Sequence, residues 1–199
     1  MLKKPYIKNN TSSRLVIVLA AGNSSRFGKK NKLTASFPNG LTVAYRTLQN
    51  IKKSGIQQVW FIRFGNFVLM KILRKHKVRY YITKNAQEGL SSTLKYAMRK
   101  TDHRAQQTRL ITLADKPFIS FQSYQKFFTL KLRKKIAIPP LVGCHPVLLK
   151  RSLKSKINLL KGDSGAHKLL YASDNSIFFV PLRDLNLKKD INYPEDLKK

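Results

Sequence analysis

Apolar β-type runs alternate with helical patterns along this chain, which predicts an α/β fold around a mostly parallel sheet. The first run, Arg14–Ala20 (RLVIVLA), reads as a buried strand and passes directly into Ala21-Gly22-Asn23-Ser24-Ser25. Further strands are expected at Val59–Phe64, Arg79–Thr83, Leu110–Leu113, Pro146–Leu149 and Ile177–Pro181. Val43–Lys53 reads as a helix with Ala44, Leu48 and Ile51 on one face, ended by Gly55. Phe67–Lys75 is helical, and Leu90, Leu94, Ala97 and Met98 repeat at helical spacing after a Ser-rich start. Phe121, Tyr124, Phe127 and Phe128 mark another helix, and their aromatic stripe reads as core packing. Short helices are expected near Lys150–Ile157 and Ala166–Ala172, and a last one from Pro194, where two acids follow the proline.

With 199 residues and 42% hydrophobic content, the chain can build one ordinary core. Residues 14–199 are expected to form that single domain, after a basic extension over 1–13 that has no apolar stretch and does not read as a secretory signal. No apolar run approaches the roughly 20 residues that span a bilayer. The single cysteine, Cys144, excludes an intramolecular disulfide and a paired-cysteine metal site, and fits a reducing cytoplasm. Its neighbour His145 and the spacing to His76, His103 and His167 match no zinc pattern. Lys and Arg number 40 and Asp and Glu only 9, for a formal charge of +31. An anionic partner is expected: nucleoside phosphates, acidic lipid or nucleic acid, including nonspecific polyanion binding to the basic surface. The alternative is a generally basic, solvated surface.

Because acids are scarce, each one inside an apolar or glycine-containing motif calls for a specific explanation; Glu88, Asp115 and Asp163 sit that way. Leu19-Ala20-Ala21-Gly22-Asn23-Ser24-Ser25-Arg26-Phe27-Gly28, leading to Lys32, follows the first strand, a usual ligand position in a doubly wound sheet. Small residues let backbone N–H groups approach phosphate oxygens, and Arg26 and Lys32 add charge. Neither the Walker nor the Rossmann spacing is met; the alternative is an ordinary strand-to-loop turn. Leu113-Ala114-Asp115-Lys116-Pro117 puts a carboxylate at a strand end, where it can meet a Mg²⁺–phosphate or cap the next turn. Glu88-Gly89-Leu90-Ser91-Ser92 offers Ser91 or Ser92 as a helix cap, or exposed N–H groups for an anion or a base edge. Gly162–His167 (GDSGAH) and Asp190–Asp196 (DINYPED) each read, alone, as a turn and a helix cap. No strand–Gly-x-Ser-x-Gly–helix setting is present, which argues against hydrolase chemistry.

Taken in order, these motifs resemble the MobA-like nucleotidyltransferase family, closest to the molybdenum cofactor cytidylyltransferase type. LAAGNSSRFG with KL is similar to its nucleotide signature, NAQEGLSSTL to its second nucleotide loop, and LADKP to its metal-binding strand end. GCHPVLL and GDSGAHKLL resemble acceptor-side segments, and DINYPEDL the terminal motif; the resemblance runs from about Arg14 to Lys198. It implies a Rossmann-like three-layer α/β sandwich of the nucleotidyltransferase type. It implies nucleotide binding by Leu19, Ala20, Ala21, Gly22, Asn23, Ser24, Arg26 and Lys32, with Gly89, Ser91 and Ser92 near the base or ribose. Lys32, Arg26 and Asp115 are implied as catalytic, Asp115 and Asn192 as Mg²⁺ ligands, and His145, Asp163, Gly165 and His167 on the acceptor side. The implied reaction moves a nucleoside monophosphate, CMP before GMP, from its triphosphate to a phosphorylated acceptor such as molybdopterin, with a sugar phosphate or phosphoalcohol as the other acceptor class. A different class of reading is a basic nucleic-acid-binding protein on a degenerate transferase scaffold. The chain departs from the family at four points. Lys32 stands one residue later than in many relatives, so Lys29 or Lys30 can share its role. Ala114 replaces a glycine, Asn192 an aspartate common in cytidylyltransferases, and His167 an arginine. LAAG in place of LAGG leans toward the cytidylyl branch.

Overall fold

The run Arg14–Ala20, buried from Leu15 onward, is the first strand, β1, of a computed structural model that describes residues 14–28, 31–102, 108–129, 134–140, 143–170 and 177–198. The basic extension, Lys29, Lys30 and His103 lie outside the described residues. Six more strands follow among the described residues: β2 (Gln57–Arg63), β3 (Arg79–Thr83), β4 (Thr108–Leu113), β5 (Ile136–Ile138), β6 (Val147–Lys150) and β7 (Ile177–Phe179). They form one sheet in the order β3-β2-β1-β4-β6-β5-β7. β1 pairs in parallel with β2 and β4, β2 with β3, and β5 with β7. β6 alone among them runs antiparallel, to both β4 and β5. The strand order reverses at β1: the chain moves outward to β2 and β3, then returns to place β4 on the other side. A crevice therefore opens between the C-terminal ends of β1 and β4, where such sheets hold ligands.

The helices are α1 (Val43–Lys53), α2 (Phe67–Lys75), α3 (Leu90–Lys100), α4 (Phe121–Thr129) and α5 (Lys154–Asn158). Because alternate strand residues point to opposite faces, β1 feeds two cores. Val16, Val18 and Ala20 pack with Leu48 and Ile51 of α1, Leu69 and Leu73 of α2, and Tyr124 and Phe127 of α4. Leu15, Ile17 and Leu19 pack with Leu94, Ala97 and Met98 of α3 and Ile157 of α5. This is the expected three-layer α/β sandwich with a mostly parallel sheet. The α1 boundaries follow local chemistry: the Thr42 hydroxyl accepts from the Tyr45 N–H at 3.2 Å, and Gly55 takes the left-handed φ of +76° that closes the helix. No helix among the described residues is long and apolar enough to cross a membrane.

Some expected boundaries move. β2 ends at Arg63, and Phe64 turns out into solvent at 71% exposure. β5 has no counterpart in the sequence expectations, since three apolar residues before Pro139-Pro140 are too few to show a period. The segments at Ala166–Leu170 and Pro194–Lys198 are tight 3₁₀ turns; the rest of the expected 166–172 helix lies outside the described residues.

At the sheet end away from the crevice, Asp102 accepts from Arg151 Nε at 2.9 Å and Lys154 Nζ at 2.6 Å. The fully buried Arg109 stands 3.8 Å away and donates to the Thr101 carbonyl at 2.9 Å. The Lys154 hydrogen bond, followed by Arg151, holds the Asp102 carboxyl below its ordinary range despite partial desolvation. A depressed carboxylate contributes stability above its unfolded pKa, and that contribution is lost as pH falls through the folded one. Asp102→Asn should therefore flatten the acid limb of a Tm-against-pH curve and lower Tm at neutral pH. An unchanged acid limb would show that this pairing contributes nothing to acid stability.

Candidate functional site

The crevice between β1 and β4 is a cleft of about 320 Å³. Leu19, Ala20, Leu113 and Ala114 form its floor, and the Ala114 N–H donates to the Leu19 carbonyl at 3.0 Å, tying the two strand ends together. Ala21–Ser25 with Lys32 and Leu33 make one wall. Ala86, Gln87, Gly89, Leu90 and Thr93 make the other, and Asp163 closes the end. Ser24 adopts φ 55° and ψ 28°, a left-handed conformation that non-glycine residues rarely take. Its hydroxyl is buried and has no hydrogen-bond partner. A strained backbone with an unsatisfied polar atom, facing a cleft, is the signature of a loop shaped for a ligand.

Asp115 stands two residues beyond the end of β4. Its Oδ2 pairs with the Lys32 ammonium, while Oδ1 is buried with no partner. Its carbonyl accepts from the Ile191 N–H at 3.3 Å, which brings the 190–192 segment alongside. Lys116, only 4% exposed, pairs with Asp190. Burial pushes the Asp190 carboxyl up, against the Lys116 hydrogen bond and charge; Asp115 pushes it further up and Lys32 pulls it down. Lys32, Asp115, Lys116 and Asp190 thus form one electrostatic cluster at the cleft. Asp190 was not among the sequence candidates; the scarcity of acids, applied to the quoted terminal motif, is the signal that points to it.

No group of three or more His, Cys, Asp or Glu able to hold a metal occurs among the described residues. An all-protein cage is therefore missing among them, but Mg²⁺ keeps its waters and takes one or two carboxylates plus substrate phosphates. The partnerless Asp115 oxygen fits that arrangement. Cys144 is buried nearby, and desolvation pushes its thiol up, ahead of a lowering by Lys116. It is a packed thiol, not a thiolate nucleophile. Cys144→Ser should leave turnover within about threefold of wild type, since no thiolate chemistry is assigned to it; complete inactivation with an intact fold would contradict this.

The N-terminus of α3 corrects one sequence expectation. Ser91 and Ser92 do not cap the helix; both lie within its first turn. The Asp163 carboxylate accepts from the Leu90 N–H at 3.3 Å, and the Gly162 carbonyl from the Ser91 N–H at 3.0 Å. Ser91 and Ser92 line a separate groove beyond α3, whereas Gly89, Leu90 and Thr93 face the cleft. Gly89 has φ +95°, and a Cβ there would stand 2.5 Å from the Gly162 carbonyl carbon. No side chain fits between these backbones. Gly89→Ala should destabilise the protein by about 2 kcal/mol or more, from strain and forced separation together. Denaturant unfolding measures this, and a change below about 0.5 kcal/mol would contradict the tight junction.

The remaining candidates fall as follows. Arg26 is exposed on the turn Ser25–Phe27 and does not line the cleft. His145 lies beside β4, its Nδ1 3.4 Å from the Ile111 carbonyl. Gly165 is buried. His167 lies in the 166–170 turn, and its side chain is outside the description. The Asn192 N–H donates to Asp196 at 2.9 Å, and Asn192 does not line the cleft.

Residues 16–176 match the family model of the MobA-like NTP transferase domain. The segment Asp190–Leu197 lies beyond that match. No curated protein matches the chain. Among solved structures, the chain is similar to a nucleotidyl transferase from Methanothermobacter thermautotroptrophicus, at 18% identity and TM-score 0.77, covering 92% of this chain and 94% of that one. It is also similar to Rv0371c of Mycobacterium tuberculosis H37Rv, at 19% identity and TM-score 0.74, covering 93% and 95%. That mycobacterial protein has also been solved in complex with manganese. A third similar structure is the 4-diphosphocytidyl-2C-methyl-D-erythritol synthase of Anaerococcus prevotii, at 14% identity and TM-score 0.70, covering 95% and 94%. At these identities the likeness establishes the fold.

Proposed function

Because the chain belongs to the MobA-like NTP transferase domain family, we propose that it moves a nucleoside monophosphate, CMP by preference, from its triphosphate to a phosphorylated small molecule of the molybdopterin kind. Pyrophosphate leaves. The observation that carries this reading is Asp115, with one oxygen on Lys32 and the other buried and unpaired at the topological switch point. The manganese complex of a similar protein supports a divalent cation, and the LAAG sequence supports CTP. Cys144, kept as a thiol, suits a cytoplasmic enzyme.

The acceptor's terminal phosphate oxygen attacks the α-phosphorus in line, and the bond from that phosphorus to the bridging pyrophosphate oxygen breaks. A phosphate monoester is already anionic, so no protein base has to remove a proton. Ala20, Ala21 and Gly22 let the backbone approach the phosphates, and the Ser24 hydroxyl gains a partner. Lys32 leaves Asp115 and turns its charge onto the phosphates, where it stabilises the pyrophosphate as it departs. Arg26, exposed on the turn that follows the cleft wall, is assigned to the phosphate tail. The Asp115 Oδ1 would hold a Mg²⁺ ion, which would supply positive charge against the phosphates. Asp190 supplies the second carboxylate charge beside Asp115 more directly than Asn192. Gly89 keeps its expected role near the base or ribose, joined by Gln87 and Thr93, which line the same cleft. Asp163, His145, Gly165 and His167 mark the acceptor side.

A matrix of CTP and GTP against molybdopterin, a sugar phosphate and a phosphoalcohol, read as Mg²⁺-dependent pyrophosphate release, tests the proposal. Fastest release with CTP and molybdopterin is expected. Faster release with GTP would overturn the base preference, and faster release with another acceptor would overturn the acceptor. No release from any pair would contradict the reaction.

A further inference from the structure

A second groove, of about 610 Å³, lies on the outer side of α3, at the sheet edge where β3 ends. Five cations line it: Lys84 just beyond β3, Lys95, Arg99 and Lys100 on α3, and Lys161 from the loop docked against α3. Among the described residues none of the five enters an ion pair, whereas Asp102 alone gathers three cations elsewhere. One carboxylate lines the groove, Glu88, and it accepts a hydrogen bond from Asn85 at 2.8 Å. The Tyr96 ring holds Arg99 and Lys100, whose charged ends stand 5.6 and 5.8 Å from its centre. The ring is itself set edge-on against Phe61. Two long side chains are thus partly ordered beside the groove in advance, which lowers the ordering cost of binding an anion. The helix terminus adds little, because the Leu90 and Ser91 N–H groups are already bonded to Asp163 and Gly162.

We infer that this groove binds the phosphodiester backbone of a single-stranded nucleic acid, a role separate from the proposed transfer reaction. Ser92, Lys95 and Arg99 follow one another at helical spacing, so polar and charged groups run along about 10 Å of α3. Lys84 and Lys161 flank that track from the neighbouring strand end and loop. A track of charge suits a chain of phosphates better than one phosphate, and this is how single strands are held without sequence preference. The site is a groove, whereas duplex readout uses a helix or ribbon inserted into the DNA groove. The excess of 40 basic over 9 acidic residues supplies long-range attraction.

The test is fluorescence anisotropy of a labelled oligouridylate of about ten nucleotides on the full chain, at several salt concentrations. Two triple variants carry the same charge change. One is Lys95→Gln, Arg99→Gln and Lys161→Gln in the groove; the other is Lys52→Gln, Lys53→Gln and Lys71→Gln on α1 and α2, in the opposite helical layer. The groove variant should bind about tenfold more weakly and lower the slope of log K against log salt by about 2, while the control changes far less. Thermal stabilisation by nucleotide at the β1–β4 cleft should persist in both. Matching affinity for oligodeoxythymidylate supports recognition through the backbone. Equal losses in the two variants, no oligonucleotide binding by the wild-type chain, or competition by inorganic tripolyphosphate as strong as by oligonucleotide would each overturn the inference.

Discussion

Asp115→Asn should lower turnover by about a hundredfold or more while leaving the fold in place. The substitution keeps size and shape but removes the charge that faces both Lys32 and the proposed position of a divalent cation. Its backbone role survives, because the bond to Ile191 uses the Asp115 carbonyl and not the side chain. The Lys32–Asp115 pair is partly open to solvent, with side-chain exposures of 17% and 14%, so its loss should change stability by only about 1 kcal/mol. Steady-state kinetics and a thermal melt on the same preparation separate the two effects. Near-normal turnover would remove Asp115 from the mechanism, and a collapsed melt would show that its role is structural.

Lys32→Ala should also cost about a hundredfold or more in turnover, for a different reason. Here the lost group is the cation proposed to meet developing negative charge on the phosphates. Without nucleotide, Lys32 pairs with the Asp115 Oδ2, and its charge opposes a cation at the neighbouring Oδ1, the oxygen proposed for the metal. Binding of Mn²⁺ alone, followed by calorimetry, should therefore tighten in Lys32→Ala and weaken in Asp115→Asn. Because the two side chains are paired and both are proposed to act on the same phosphates, the double variant should lose less than the product of the single losses. Weaker Mn²⁺ binding in Lys32→Ala would contradict this opposition of charges.

The frame was legible where local pattern decides it. Leu15–Ala20 is apolar on both faces, so the run read as a buried strand, and its end located the candidate ligand loop that leads to Lys32. Asp115 was legible because a carboxylate directly after an apolar strand has to sit at the strand end. What depends on distant partners was not legible. Asp163 caps a helix 73 positions earlier in the chain, and Asp190 pairs with Lys116 across 74 positions. Neither contact leaves a trace in local spacing, so Ser91 and Ser92 took the cap and Asn192 the place beside the metal. β5 escaped because three residues cannot display a period, and with it went the antiparallel insertion of β6. The position of Arg26 outside the cleft depended on where the turn Ser25–Phe27 points, which the run of small residues before it does not determine.

The central claim is that the β1–β4 crevice holds a metal–nucleoside triphosphate, and a thermal-shift panel of CTP, GTP, ATP and UTP with Mg²⁺ at fixed salt tests it most directly. At about 100 times its Kd, a ligand should stabilise the native state by about 2.7 kcal/mol. A Mg²⁺-dependent shift, largest with CTP and abolished by Asp115→Asn, is the expected result. No shift with any of the four nucleotides would contradict the claim.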